Sequence, residues 1–195
     1  MNAKTLRVVI LSAVVALYLG LLSCATTPLS SSEKAAQQES VRAMANTTLA
    51  DLYKSNPNAK AAIGNAAGYA VFSDFGFKLL FMGGAKGAGV AINNASKQDT
   101  FMKMAELQPG LGVGAEKYRI VFVFDTPAAF NSFVTSGWEA GANTMAAARS
   151  GAKGGVVTGA VSVSDGVSMF QVDTQGAIVG VSITGAKFYK DKELN

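Results

Sequence analysis

The sequence predicts an α+β fold: a strongly curved antiparallel, barrel-like β-sheet with an N-terminal amphipathic helix and one or two further packed helices. Three observations predict it. Apolar residues at 3–4 spacing run from Val41 to Tyr53 and then give way, from Gly68 on, to short alternating runs. Turn signals such as Ser164-Asp165-Gly166 separate those runs, as in antiparallel meanders. Glycine accounts for 21 of 195 residues with no Gly-X-Y period, so it marks turns, bulges and close backbone packing. With 49% hydrophobic and 15% charged residues, a disordered solvating chain is excluded, and the length fits one domain plus a leader.

Residues 1–23 read as an export signal. Lys4 and Arg7 form a basic start, and Val8 to Leu22 is almost wholly apolar. About 15 residues at ~1.5 Å rise fall short of a ~30 Å hydrocarbon core, so this is a signal h-region and not a span. Leu21-Leu22-Ser23-Cys24 then resembles the lipobox of bacterial lipoproteins. The resemblance implies thioether acylation of Cys24, cleavage before it and acylation of the new terminus. Ala25 follows where Asp would retain a lipoprotein at the inner membrane. By analogy with enteric sorting, the expected location is the cell envelope, lipid-anchored in the outer membrane. Removing residues 1–23 takes Lys4 and Arg7 from the 17 bases and none of the 13 acids, leaving 15 against 13. Net charge therefore gives no reason to expect nucleic acid as a partner.

Residues 24–32 are the acylated cysteine and a Ser/Thr/Pro tether, and 33–195 form a single domain. Ser30-x-x-Glu33 is a capping box. Val41, Met44, Ala45, Leu49, Leu52 and Tyr53 then make an amphipathic helix from about Ser32 to Lys54. Ser55-Asn56-Pro57-Asn58 breaks it, and an Ala-rich turn of helix follows over Ala59 to Asn65. Tyr69 to Phe72, Phe75 to Met82, Gly83 to Asn94 and Thr100 to Glu106 read as separate strands. Pro109-Gly110 reads as a chain turn. Gly110, Gly112 and Gly114 share one face of a strand, and Tyr118 to Phe124 is the strongest core strand. Thr126-Pro127 starts a helix that Gly137 ends, with Phe130, Phe133 and Val134 on its apolar face. Trp138 to Arg149 fits helix and strand alike. Val156 to Ser164, Val167 to Asp173 and Ala177 to Lys187 form the closing meander.

The residue inventory removes most catalytic chemistries. There is no histidine and one cysteine, which excludes His-dependent triads, His metal sites and cysteine zinc clusters. Gly83-Gly84-Ala85-Lys86-Gly87 lacks the Ser/Thr that a phosphate loop needs after its lysine, and reads instead as a Gly-rich strand under a close-packed helix. No Gly-x-Ser-x-Gly elbow occurs. The acids Asp74, Asp99, Glu106, Glu116, Asp125, Glu139, Asp165 and Asp173 fall at turns and strand ends, with no pair selected. No enzyme, cofactor or metal is expected. The basic residues are the remaining candidates: Lys97, Lys103, Lys117 and Arg119 flank the middle strands, Lys86 and Lys153 lie in Gly-rich backbone, and Lys187, Lys190 and Lys192 cluster near the end.

In order along the chain, several segments resemble the SYLF (Ysc84-like) family. Gly68-Tyr69-Ala70-Val71-Phe72 is similar to its opening signature, and Gly83 to Val90 to its Gly-rich strand. Thr100-Phe101-Met102 with the alternate glycines, Tyr118 to Phe124, Phe130 to Gly137, Trp138-Glu139-Ala140-Gly141-Ala142 and Gly176 to Ser182 resemble its later segments. Ser73 stands where the family commonly has Pro. The resemblance implies a lipid-binding module. Eukaryotic members bind phosphoinositides, some bind actin, and their membrane contact is attributed to an amphipathic helix before the core. Here that segment carries Lys34, Arg42 and Lys54 against Glu33, Glu39 and Asp51. The expectation is an outer-membrane lipoprotein whose domain binds phospholipid, anionic headgroups favoured, through Lys86, Lys103, Lys117, Arg119 and Lys153. The alternative is a non-catalytic lipoprotein that binds an envelope protein partner.

Overall fold

Ser30 opens the first helix as its spacing to Glu33 predicts. The computed structural model describes residues 28–140, 159–173, 176–178 and 185–195. In it the Glu33 N–H donates to Ser30 Oγ at 3.3 Å and the Ser30 N–H to Glu33 Oε2 at 2.9 Å. Two of the otherwise orphaned N-terminal donors are thereby satisfied. Helix α1 spans Ser31–Ser55 and buries Val41, Ala45, Thr48, Leu49 and Leu52. That 3–4 spacing is the predicted stripe. After Asn56-Pro57, α2 (Asn58–Asn65) buries Ala59 and Ile63.

The predicted middle strands are not separate. They merge into two 26-residue strands, β1 (Gly68–Asn93) and β2 (Asp99–Phe124). The two pair antiparallel from Gly68↔Phe124 to Ile92↔Asp99, with one register step between Leu80 and Met82. Pro109-Gly110, expected as a chain turn, lies at that step, where Pro109 faces Met82. A residue without an N–H is tolerated in a sheet where the ladder is already irregular, so the turn signal marks a bulge. The real turn follows Asn93, whose Oδ1 accepts the N–H groups of Ala95 and Ser96, each at 3.0 Å.

The long hairpin curls until the two ends of β1 meet. The Asn94 N–H donates to the Ala67 carbonyl at 3.0 Å. A Cβ at Gly89 would lie 2.6 Å from the Val71 carbonyl oxygen, and one at Gly68 would lie 2.8 Å from that of Ile92. At Gly89, therefore, the close neighbour is the start of the same strand.

Helix α3 (Pro127–Ser136) begins where Thr126 Oγ1 accepts the Ala129 N–H at 3.2 Å and ends at Gly137, φ 76°. The remaining strands are β3 (Trp138–Ala140), β4 (Val161–Ser164), β5 (Val167–Asp173), β6 (Gly176–Ile178) and β7 (Ala186–Lys190). β7 pairs with β2 over Met102 to Glu106, and β5 pairs with it over Arg119 to Phe124. β3 lies outside β7, and β4 and β6 lie along the outer edge of β5. The fold is thus α+β with a strongly curled antiparallel sheet. Of Trp138–Arg149, the first three residues are strand. Residues 1–27, with Cys24, and 141–158, with Lys153, lie outside the described residues, as do Thr174, Gln175 and 179–184 of the meander.

The sheet has a core on each face. One is aromatic: Phe72, Phe122, Phe124 and Phe188, with Phe130 and Phe133 of α3. The other packs Val41, Ala45, Leu49 and Leu52 of α1 onto Val71, Phe101, Val121, Val123 and Phe170.

Candidate functional site

Antiparallel pairing sets the site. Lys86 lies opposite Ala105 and Ala88 opposite Lys103. Residues two apart on a strand share a face, so Lys86 and Lys103 are diagonal neighbours. Both line a groove of about 780 Å³ on the α1 side of the sheet. Gln37 and Ser40 of α1 form one wall, and Tyr189 of β7 with Asp191 beyond it forms the other. Lys86 and Tyr189 are exposed.

The two lysines are not equivalent. Lys103 Nζ reaches Glu193 Oε2 at 2.8 Å and Asp191 Oδ1 at 3.2 Å. The hydrogen bond to Glu193, aided by Asp191 and opposed by burial, raises its pKa above the ordinary lysine value. Asp191 is itself buried and accepts the Glu193 N–H at 2.9 Å. Lys103 is therefore a charged post held between two carboxylates. Lys86 has no ion pair among the described residues and is the open cation of the groove.

Arg119, another sequence candidate, is not brought to the groove. Arg119 Nη1 meets Asp51 Oδ2 of α1 at 2.7 Å with only 15% of its side chain exposed, so it straps the helix to the sheet. Lys117 stands on β2 opposite Phe75. Lys187 bonds Glu139 at 2.6 Å, which raises its pKa. Sequence reasoning missed Asp191 and Glu193 because it read the Lys187, Lys190 and Lys192 run for its bases. The acids interleaved in Lys190-Asp191-Lys192-Glu193 were the available signal.

Helix α1 does not present the free amphipathic face that the resemblance implied. Its apolar stripe is packed on the sheet. Arg42 Nε bonds Asp99 at 2.7 Å, and its guanidinium lies 5.0 Å from the Phe101 ring centroid. Lys34 Nζ and Gln38 Nε2 donate to the carbonyls of Asn195 and Leu194 at 2.8 and 2.7 Å. The exposed side carries Ala35, Ala36, Ala43, Asn46 and Thr47, which suit neither insertion nor charge attraction. Among the described residues no cluster of acids, His or Cys suits a metal ion, and no helix is long and apolar enough to cross a membrane.

Comparison with known proteins adds kinship. Residues 105–195 match the family model described as Las17-binding protein actin regulator, Ysc84. The chain is also similar to Beta cell expansion factor A of Aeromonas veronii, at 34% identity over 160 residues. That alignment covers 79% of this chain and 57% of the relative, so the chain spans little more than half the length of that protein.

Proposed function

We propose, from the match of residues 105–195 to the Ysc84 (SYLF) family model, that the protein is a non-catalytic envelope lipoprotein whose domain binds phospholipid, anionic headgroups favoured. Acylated Cys24 anchors it in the outer membrane, and the groove between α1 and the sheet meets the headgroup. The observation that carries the reading is Lys86: an exposed cation in a groove, beside a second lysine already matched by carboxylates. A lysine near an anionic surface contributes about 1 kcal/mol, roughly a fivefold change in binding. Domain affinity is accordingly modest and depends on the anchor.

Flotation with liposomes tests the reading, using the chain without residues 1–23 and with Cys24→Ser. Binding to anionic vesicles, absent on neutral ones and weakened by salt, is expected. Lys86→Glu removes one attraction and adds one repulsion, so binding falls about 30-fold, as ~2 kcal/mol requires. A second reading, a protein-interaction lipoprotein, draws on Tyr189, a large hydrophobic side chain 38% exposed at the same groove. Equal absence of binding to both vesicle types would favour that reading and sink the phospholipid one.

A further inference from the structure

The polar lining of the groove does more than place one cation. Gln37 and Ser40 stand three residues apart on α1, so both lie on one side of that helix and form one wall. Tyr189 of β7, the cross-strand partner of Lys103, stands in the other wall. Ser73, half-buried on β1, lines the groove with Lys86. Among the described residues, none of these four side chains makes a hydrogen bond within the protein. Two aliphatic hydroxyls, a phenol and an amide are thus open to a ligand, and each can both donate and accept. The charged groups are differently committed. Lys103 engages both Asp191 and Glu193, at 3.2 and 2.8 Å. One ammonium against two carboxylates leaves that trio one charge negative.

We propose that the groove selects a phosphodiester headgroup ending in an uncharged polyol, the class of phosphatidylglycerol, over headgroups that carry further charges. The proposal rests on the phospholipid reading above and names its ligand. Lys86 matches one negative charge, that of the phosphodiester. A second anionic charge, as on a phosphomonoester or the carboxylate of phosphatidylserine, finds no other unmatched lysine or arginine in the lining and meets the negative trio. The ammonium of phosphatidylserine finds both carboxylates already engaged by Lys103. Either charge would leave water without a partner, which costs more than leaving a hydroxyl unmatched. The hydroxyls of a polyol fit what remains: Gln37, Ser40, Ser73 and Tyr189. At about 780 Å³ the groove has room beyond the phosphate for a glycerol unit.

The mature chain, residues 24–195 with Cys24→Ser, is floated with phosphatidylcholine vesicles containing phosphatidylglycerol, phosphatidylserine or phosphatidic acid, matched in zeta potential. Two net hydrogen bonds to the glycerol diol make binding to phosphatidylglycerol about tenfold tighter than to either other lipid. Gln37 and Ser40 are exposed helix positions that tolerate alanine. Gln37→Ala with Ser40→Ala should cut the preference by about threefold or more and leave phosphatidylserine binding unchanged. Should that double variant misfold, competition on the unaltered chain decides. Soluble glycerophosphoglycerol should displace the protein from phosphatidylglycerol vesicles at concentrations where glycerol 3-phosphate does not. Equal binding to the three lipids, tighter binding to phosphatidylserine or phosphatidic acid, a folded double variant that keeps its preference, or equal displacement by the two competitors would overturn the selectivity and leave the phospholipid reading standing. Absence of binding to all three lipids would overturn both.

Discussion

Adding one methyl group at Gly89 probes the close approach that the curl of β1 creates. A Cβ at Gly89 would sit 2.3 Å from Phe72 Cδ1 and 2.6 Å from the Val71 carbonyl oxygen. Neither neighbour can retreat. The carbonyl belongs to a paired strand, and Phe72 is fully buried with Phe188 4.9 Å and Phe122 6.1 Å away, centre to centre. Overpacking of this kind costs about 1–3 kcal/mol, against ~0.4–1 kcal/mol gained from a stiffer unfolded chain. With backbone oxygen and a locked ring both in the way, the upper part of that range applies, and the net loss is about 2 kcal/mol. At ~2–4 °C per kcal/mol for a chain of this size, Gly89→Ala lowers Tm by about 4–8 °C. Gly64→Ala is the matched control. Gly64 is exposed in α2, and nothing lies within 4 Å of its Cβ position. There the same substitution raises stability by about 0.5–1 kcal/mol through helix propensity. Urea unfolding followed by circular dichroism should move the two midpoints in opposite directions with m unchanged. Midpoints that rise together would refute the close approach of the two ends of β1.

Two further perturbations probe the polar straps. Asp51→Asn removes the carboxylate from a largely buried Arg119. Because Asp51 is half exposed, the loss is discounted to about 1 kcal/mol, and Asp51→Ala should cost no less; a variant as stable as the parent in urea would remove this strap from the account. Alkaline pH acts on several groups at once. Burial raises the pKa values of Tyr53 and Tyr69, and the hydrogen bond to Glu193 raises that of Lys103. Each holds its proton more tightly folded than unfolded, so its contribution is complete below the unfolded pKa, about 10, and is lost as pH rises through the folded value. The urea midpoint should stay level for these groups between pH 7 and 9 and fall above 10; a midpoint that climbs there would contradict the sign.

The helices were legible because their signals are local. Ser30 with Glu33, Thr126 with Pro127, and Gly137 fix the ends of α1 and α3 without help from tertiary contacts. The long strands were not. Gly76, Gly83-Gly84 and Pro109-Gly110 carry the composition of turns, yet the two strands run on through all of them, with a register step only at Pro109-Gly110. Long-range pairing with β2 outweighs local preference there, and no window of one strand contains that information. The candidate site divides in the same way. Lys86 and Lys103 were read from the chain as bases near strands. That they meet follows from β1 pairing with β2, and that Asp191 and Glu193 match one of them follows from β7 pairing beside β2.

If Cys24 is the anchor, the position of the groove relative to it gives a further consequence of the proposed function. Six residues, 25–30, lie between Cys24 and the start of α1 at Ser31, and an extended chain reaches ~3.3–3.6 Å per residue, so Ser31 stays within ~25 Å of the anchored leaflet. Gln37 lies about 9 Å further along the helix at ~1.5 Å per residue, and it lines the groove with Lys86. A short tether therefore favours contact of the groove with the same leaflet. Inserting 20 Gly/Ser residues after Ala25 lengthens the tether from about 6 to about 26 residues. Effective concentration falls roughly as the −3/2 power of length, so same-leaflet contact should drop up to about ninefold. Ala88→Cys, exposed in the groove, supplies a thiol for crosslinking to reactive headgroups in reconstituted vesicles. Equal crosslinking with short and long tethers would mean that the groove does not face the anchored leaflet. An opposing membrane or a protein partner would then be the better account of Lys86.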